Sequence, residues 1–312
     1  MSESKLLSIV TPCYNEEDNV EELYRRIKAV IETLNNYKFE LIFIDNSSKD
    51  GTLEILKKIA ATDLIVKIII NTRNFGHIRS PYYGILQSRG NATIYLASDL
   101  QDPPELIPEF IRYWEQGYKL VMGVKPVSQG VTWVHELRKV YYRFVDGITD
   151  FSLVADSTGF GLYDRKVVDQ LLQINDPYPF LRGLICELGY DIMTVSFNQP
   201  RRIRGISKNN FYTLYDIAML GIVSHSKVPI RIAAFMGFAL GLLSVLAAIA
   251  FFILKILFWE YIPLGIAPII IGLFFLFGIQ LMFIGILGEY IASIHSYVQR
   301  RPVVVEKERI NF

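Results

Sequence analysis

Residues Asp99-Leu100-Gln101-Asp102-Pro103-Pro104-Glu105 follow directly on the apolar run Ala92-Thr93-Ile94-Tyr95-Leu96-Ala97, so acidic side chains are set where a buried strand stops and a helix starts. In α/β folds that edge is where nucleotides bind. Asp99, Gln101 and Asp102 offer hard oxygen ligands of the kind that hold Mg2+ or Mn2+. A divalent cation there would neutralise a departing diphosphate, a central electrostatic demand of group transfer from an activated nucleotide. Aspartates at strand ends also cap helices and start turns, so the strand before the cluster and the Pro-Pro-Glu after it give it its weight. A second acidic step, Asp45-Asn46-Ser47-Ser48, ends another apolar run. There Asp45 is placed as a ribose or base contact, and a turn-forming reading of the same residues is compatible with that.

These residues need a scaffold, and the first half of the chain supplies the pattern for one. Short β-branched runs at residues 6–11, 39–44, 65–71 and 92–97 alternate with helical periodicity, which predicts a parallel sheet with crossover helices. Val20, Leu23, Ile27, Val30, Ile31 and Leu34 recur at helical spacing behind a cap at Asp18 or Asn19. Pro103-Pro104-Glu105 opens a further helix with Leu106, Phe110, Ile111 and Trp114 on its apolar face. The carboxyl edge of such a sheet gathers Tyr14-Asn15-Glu16, Asp45-Asn46-Ser47 and Asp99.

Composition narrows the class. A chain of 312 residues with 51% hydrophobic content exceeds the apolar share of an ordinary soluble domain. A net charge of +1 excludes the global field of a nucleic-acid-binding protein. Cys13 and Cys186 have no metal-site spacing and fit a reducing compartment, and the polar start Met1 to Lys5 is no cleavable signal peptide. From Ile232 to Leu254 there are 23 residues without a charge, and from Ile262 to Gly288 there are 27. At about 1.5 Å per residue each exceeds a hydrocarbon core of roughly 30 Å, which predicts two membrane-spanning helices. Buried core helices of a soluble protein are the competing reading, and they are usually about half as long. Lys227 and Arg231 precede the first span and Arg300, Arg301, Lys307 and Arg309 follow the second, whereas the intervening Trp259-Glu260-Tyr261 turn carries no Lys or Arg. That asymmetry places both termini in the cytoplasm. Lys255 would snorkel to the interface. Residues 212–223 read equally as an interfacial amphipathic helix or an ordinary domain helix.

Leu7-Ser8-Ile9-Val10-Thr11-Pro12-Cys13-Tyr14-Asn15-Glu16-Glu17, Asp45 to Thr52, Arg73-Asn74-Phe75-Gly76 and Asp99 to Glu105 occur in an order that resembles the inverting family 2 glycosyltransferases. Within these the chain is most similar to the polyprenyl-phosphate type, the bactoprenol glucosyltransferases and dolichyl-phosphate mannose synthases. The likeness extends through Ser207-Lys208, the two apolar segments and Arg301-Pro302. It implies a GT-A Rossmann-like catalytic domain over residues 1–205, juxtamembrane helices over 206–230, a transmembrane hairpin over 231–290 and a cytoplasmic tail over 291–312. In that arrangement Pro12, Tyr14, Glu16, Asp45 and Asn74 surround the nucleotide, and Asp99, Gln101 and Asp102 hold Mg2+ or Mn2+. Arg138, Arg143, Arg201, Arg202 and Lys208 are the cations expected at the acceptor phosphate, with Arg204 beside them and Lys208 also counted as catalytic. The implied reaction moves a hexose from a nucleotide sugar, UDP-linked rather than GDP-linked, to a polyprenyl phosphate of the undecaprenyl type at the cytoplasmic leaflet of the cell membrane. Self-association through the membrane helices and tail is also implied.

The chain departs from the family pattern at three places. Ala97 stands where a second carboxylate is usual, Asp45-Asn46-Ser47-Ser48 replaces Asp-Asp-Gly-Ser, and Thr158-Gly159-Phe160-Gly161-Leu162 replaces Gly-Asp-Phe-Arg-Leu. Asp156 is the candidate to substitute for the lost acid. A phosphate acceptor has less need of one: its second pKa is about 6, so the nucleophile arrives deprotonated. His77 is read as structural rather than as a base. Two other functions compete. A processive polysaccharide synthase would carry Gln-x-x-Arg-Trp, which none of Trp114, Trp133 and Trp259 completes. A non-catalytic, membrane-anchored partner protein would account for Ala97 and Gly159.

Overall fold

The computed structural model describes residues 4–125, 147–149, 151–154, 157–198, 219–258, 265–299 and 301–312. The chain divides into two compact units, residues 1–217 with 299–312, and residues 218–298.

In the first unit β1 (Leu6–Cys13), β2 (Lys38–Asp45), β3 (Val66–Asn71) and β4 (Ala92–Tyr95) pair in parallel, linked by helices α1 (Val20–Ile31), α2 (Thr52–Thr62) and α3 (Gly76–Gln87). Helices cover both faces, so these strands are apolar nearly throughout rather than alternating. On one face Leu7, Ile9, Leu41, Phe43, Ile68 and Ile70 pack with Leu23, Ile27 and Leu56, and with Phe110 and Trp114 of α4 (Ile107–Glu115). On the other, α3 lies close because Gly84 has no side chain: a Cβ there would sit 2.8 Å from Val10 Cγ1. Asn19 stands at the α1 N-cap, yet its side chain does not cap the helix; its Nδ2 donates to Glu16 Oε2 (2.6 Å). The proline pair opens a 3-10 turn, Pro104–Leu106, before α4.

The remaining strands widen the sheet: β5 (Leu120–Val124), β6 (Ser157–Asp164), β7 (Ile192–Ser196) and β8 (Glu306–Ile310), giving the order β7-β5-β6-β4-β1-β2-β3-β8. β6 is antiparallel to β4 and β5, and β8 is antiparallel to β3. Helices α5 (Arg165–Ile174) and α6 (Leu181–Glu187) follow β6. Two expectations are corrected here. The fourth strand ends at Tyr95 rather than Ala97: Leu96 N–H still reaches Val10 O (3.1 Å), and the chain then turns into the acidic loop. Residues 306–310, read from the sequence within a tail, form an edge strand whose charges, Glu306-Lys307-Glu308-Arg309, suit the solvent-facing rim of a sheet.

The second unit holds α7 (Val228–Leu257) and α8 (Ile266–Val298), 30 and 33 residues long. Among the described residues, Phe275–Val298 is by itself long and apolar enough to cross a membrane. Met219–His225 and Val228–Ser244 qualify only when taken together, as a pair bent by 78°. Ser226 makes that corner: its Oγ accepts from Val228 N–H (3.1 Å) and its carbonyl accepts from Tyr290 Oη–H (2.7 Å). Large apolar side chains stand exposed along both helices, Phe235 at 76%, Phe238 at 75% and Leu281 at 68%.

Candidate active site

The register of the parallel strands brings the sequence-selected residues to one edge. Cys13 pairs with Asp45, Pro12 with Ile44, and Val10 with Tyr95, so the segments after β1, β2 and β4 emerge side by side. Neighbouring strands lie about 4.8 Å apart, so the ends of β2 and β4 are about 10 Å from each other, the scale of a nucleoside diphosphate. Three of the five described non-glycine residues with positive φ sit in these segments: Asn15 at 55°, Ser47 at 64° and Leu100 at 59°. Strained backbone collects where a site is held in place.

The loops after β1 and β2 are zipped together. Asn15 N–H donates to Ser48 Oγ (3.0 Å), Lys49 N–H to Asn15 Oδ1 (2.8 Å), Glu16 N–H to Thr52 Oγ1 (2.8 Å) and Gly51 N–H to Glu17 Oε2 (2.6 Å). Asp45 is 1% exposed and accepts from Ser48 N–H (3.2 Å). Burial pushes its carboxyl above the usual range, against the hydrogen bonds of Ser48. Cys13 joins the two sides: burial and then Asp45 push its thiol well up, while a hydrogen bond with Ser98, the neighbour of Asp99, opposes them. Pro12, Tyr14 and Glu16 are half-buried at the same edge.

Asn74 reaches the site through a residue the sequence reading did not single out. Asn46, 5% exposed, accepts from Phe75 N–H (2.8 Å) and Asn71 Nδ2 (3.0 Å), and donates to Asn74 Oδ1 (2.9 Å) and Gly76 O (3.2 Å). Asn74 Oδ1 also accepts from Gly76 N–H (2.7 Å), so the loop after β3 is locked to the loop after β2. An Asn within a turn-forming run gives no sign of this bridging role.

In the acidic loop Leu100, 6% exposed, turns into the core while Asp99 and Gln101 stay half-exposed. Asp102 is different: it is 3% exposed and its Oδ2 accepts from Ala97 N–H (3.0 Å). Burial raises its pKa to about 6, and the nearby Asp99 charge adds to the rise while the Ala97 amide opposes it. Such a pair of acids is relieved by a cation. Among the described residues no three His, Cys, Asp or Glu gather into a cluster that could hold a metal ion. Arg182 on α6, half-buried, lies within electrostatic range as well: burial, Asp102 and Asp99 raise the Tyr95 hydroxyl, and Arg182 opposes them.

Backbone geometry accounts for one of the three departures, at both of its glycines. Gly159 has φ +90°, where side chains are strained, and a Cβ on it would lie 3.6 Å from the Tyr95 ring. A Cβ on Gly161 would lie 2.3 Å from Val121 O, so no larger residue fits while β5 and β6 pair as they do. Asp156, Arg138, Arg143, Arg201, Arg202, Arg204 and Lys208 lie outside the described residues.

The sheet is the Rossmann-like GT-A arrangement, mostly parallel, that the motifs led us to expect. Residues 8–172 match the family described as Glycosyl transferase family 2. An uncharacterized glycosyltransferase of Synechocystis is 36% identical over 298 residues, 95% of this chain and 93% of that protein. A bactoprenol glucosyl transferase of Shigella phage SfII is 31% identical over 305 residues, 97% of each. Among solved structures, a mannosyltransferase of Pyrobaculum calidifontis, in complex with GDP-Man and Mn2+, aligns with a TM-score of 0.48 at 14% identity, covering 71% of this chain and 63% of that one. On the family match and the near full-length relatives, the chain belongs to glycosyl transferase family 2 and is a glycosyltransferase.

Proposed function

We propose that the protein transfers a hexose from a UDP-linked sugar to a polyprenyl phosphate of the undecaprenyl type, with inversion, at the cytoplasmic face of a membrane that α7 and α8 both span. The observation that carries this reading is the 31% identity to a bactoprenol glucosyl transferase along 97% of both chains, apolar helices included. The exposed apolar side chains of α7 and α8 favour lipid as their surroundings, since a soluble surface rarely carries so large a patch.

The residues perform this chemistry by placement. Asp45 and the zipped loops around Asn15 and Ser48 hold the nucleoside, with Pro12, Tyr14 and Glu16 at its sides and Asn74 fixed by Asn46. Asp99 and Gln101, backed by the buried Asp102, would hold Mg2+ or Mn2+, which when bound supplies positive charge to the diphosphate. A lone pair of an acceptor phosphate oxygen forms the new bond to the anomeric carbon as the bond to the diphosphate oxygen breaks, and UDP leaves with that electron pair. No proton has to be removed from the nucleophile, because a phosphate monoester is largely ionised at pH 7. Arg138, Arg143, Arg201, Arg202 and Lys208 are the proposed cations at that phosphate, and Asp156 is proposed at the acceptor side of the sugar.

The test uses purified full-length protein with a panel of nucleotide sugars, Mn2+ or Mg2+ and undecaprenyl phosphate. Glycolipid should form with one donor, and Asp99→Ala should lower the rate by about a hundredfold or more. Absence of glycolipid with every donor, or equal rates for wild type and Asp99→Ala, would refute the reading.

A further inference from the structure

Two arginines of the first unit lie against one aromatic ring and a third, Arg301, stands within electrostatic range of Arg79; none of the three has a carboxylate partner among the described residues. The guanidinium carbons of Arg73 and Arg79 lie 4.1 Å and 5.4 Å from the Phe75 ring centroid. Arg79 Nη2 donates to the carbonyl of Pro302, which brings Arg301 to the same place. Arg79 Nε is buried without a hydrogen-bond partner. Burial, then the charges of Arg73 and Arg301, hold Arg79 below the usual arginine range, as crowded and uncompensated cations should. The nearest acid of the C-terminal strand cannot compensate them: Glu306 is taken by Arg309 (2.6 Å) and Tyr83 (2.8 Å). The arrangement therefore lacks an anion, and arginine forks match phosphate oxygens.

We propose that Arg73, Arg79 and Arg301 form a binding site for the phosphate of an anionic membrane lipid. The proposal rests on the membrane reading given above. Under that reading Arg301, three residues beyond the end of α8 at Val298, leaves the apolar segment at headgroup level, where a basic residue meets lipid phosphate. The donor's diphosphate is the rival source of the same chemistry. The cluster flanks the end of β3, three strand spacings from β4, or about 14 Å from the strand that carries the Asp99 loop, so a diphosphate held at Asp99 does not reach it.

The experiment titrates the full-length protein, in micelles of an uncharged detergent, with a soluble short-chain phosphatidic acid, with phosphatidylcholine of the same chain length, with inorganic phosphate, and with UDP plus Mn2+, read by calorimetry. Wild type should bind phosphatidic acid in preference to the other lipid and to free phosphate, less tightly as salt rises. Arg73→Met and Arg301→Met should each weaken that binding about fivefold and leave UDP affinity unchanged, and Arg301→Lys should recover most of it. Arg301 makes no structural hydrogen bond in the described structure, so its variants remain informative should Arg79 variants fail to fold. Equal binding of phosphatidic acid by wild type and Arg301→Met overturns the proposal. Equal binding of phosphatidylcholine or of inorganic phosphate overturns the lipid assignment, and a loss confined to UDP assigns the arginines to the donor. If the wild type binds phosphatidic acid through these arginines yet makes no glycolipid, the proposed reaction falls and the site stands.

Discussion

Replacing Asn46 by aspartate would move the chain toward the Asp-Asp pattern common in its family, yet the structure predicts that it destabilises this protein. The amide is oriented by two backbone groups that admit no exchange: Phe75 N–H must donate, at 2.8 Å, and Gly76 O must accept, at 3.2 Å. Aspartate keeps the first bond and loses the second, and its other oxygen faces Gly76 O and Asn74 Oδ1 in a position that is 5% exposed and next to Asp45. Two lost hydrogen bonds cost about 2 kcal/mol, and a buried, unpaired charge adds at least as much, for a total of about 4 kcal/mol. Alanine strands the Phe75 and Asn71 donors instead, at about 1–3 kcal/mol each for the buried groups. In a domain of this size each kcal/mol moves Tm by about 2–4 °C, so Asn46→Asp should melt about 8–16 °C below wild type at pH 7.5. The sign with pH is fixed: burial raises the folded-state pKa of the new carboxyl, so the charge penalty is absent below the unfolded value of about 4, grows as pH rises from there toward the folded value, and is full above it. Thermal melting of the full-length protein followed by tryptophan fluorescence, at pH 5 and pH 7.5, measures both effects. An Asn46→Asp protein as stable as wild type at pH 7.5 would refute the assigned network.

Other expectations follow from single contacts. Asp102→Asn keeps an oxygen for Ala97 N–H and removes a carboxyl whose folded pKa is about 6 against about 3.8 unfolded; with a chelator present it should be more stable than wild type above pH 7, by up to about 3 kcal/mol, and the difference should shrink as pH falls through 6 toward 4. A constant difference across that range, checked by the same melting assay, would show that Asp102 is not held against ionisation. Gly161→Ala should cost about 3 kcal/mol or more, or prevent folding, because its Cβ meets the Val121 carbonyl at 2.3 Å; soluble expression and Tm report it, and a Tm within 2 °C of wild type, about 1 kcal/mol for this domain, contradicts the β5–β6 register.

What the sequence made legible was whatever is written in local pattern. The parallel strands read from apolar runs between helical periods, and the acidic loop read from aspartates behind a strand and ahead of paired prolines. β6 did not read as a strand because Gly159 and Gly161, which depress strand propensity, are there for close backbone approach, a reason visible only once β5 and the Tyr95 ring are in place. β8 read as a solvated tail because four consecutive charges dominate it; its ladder to β3 is a contact between residues more than 230 apart. The Asn46 bridge joins two loops 28 residues apart through a side chain that local rules assign to a turn. The α1 cap failed for a related reason, since Asn19 is committed to Glu16 instead of to the helix.

The two glycines of β6 bear on the choice of acceptor. Where the family pattern has Asp and Arg, the backbone here admits neither side chain, Gly159 by its φ of +90° and Gly161 by the Val121 carbonyl. A neutral hydroxyl acceptor has a pKa far above 7 and needs a base within hydrogen-bond reach. A phosphate monoester needs none, and asks instead for fixed positive charge and exclusion of water. Arg182 lies within electrostatic range of Tyr95, where its charge opposes those of Asp99 and Asp102. A dianionic phosphate nucleophile loses no base when positions 159 and 161 carry no side chain, whereas a hydroxyl nucleophile would have to draw its base from elsewhere, Asp156 being the acid proposed on that side.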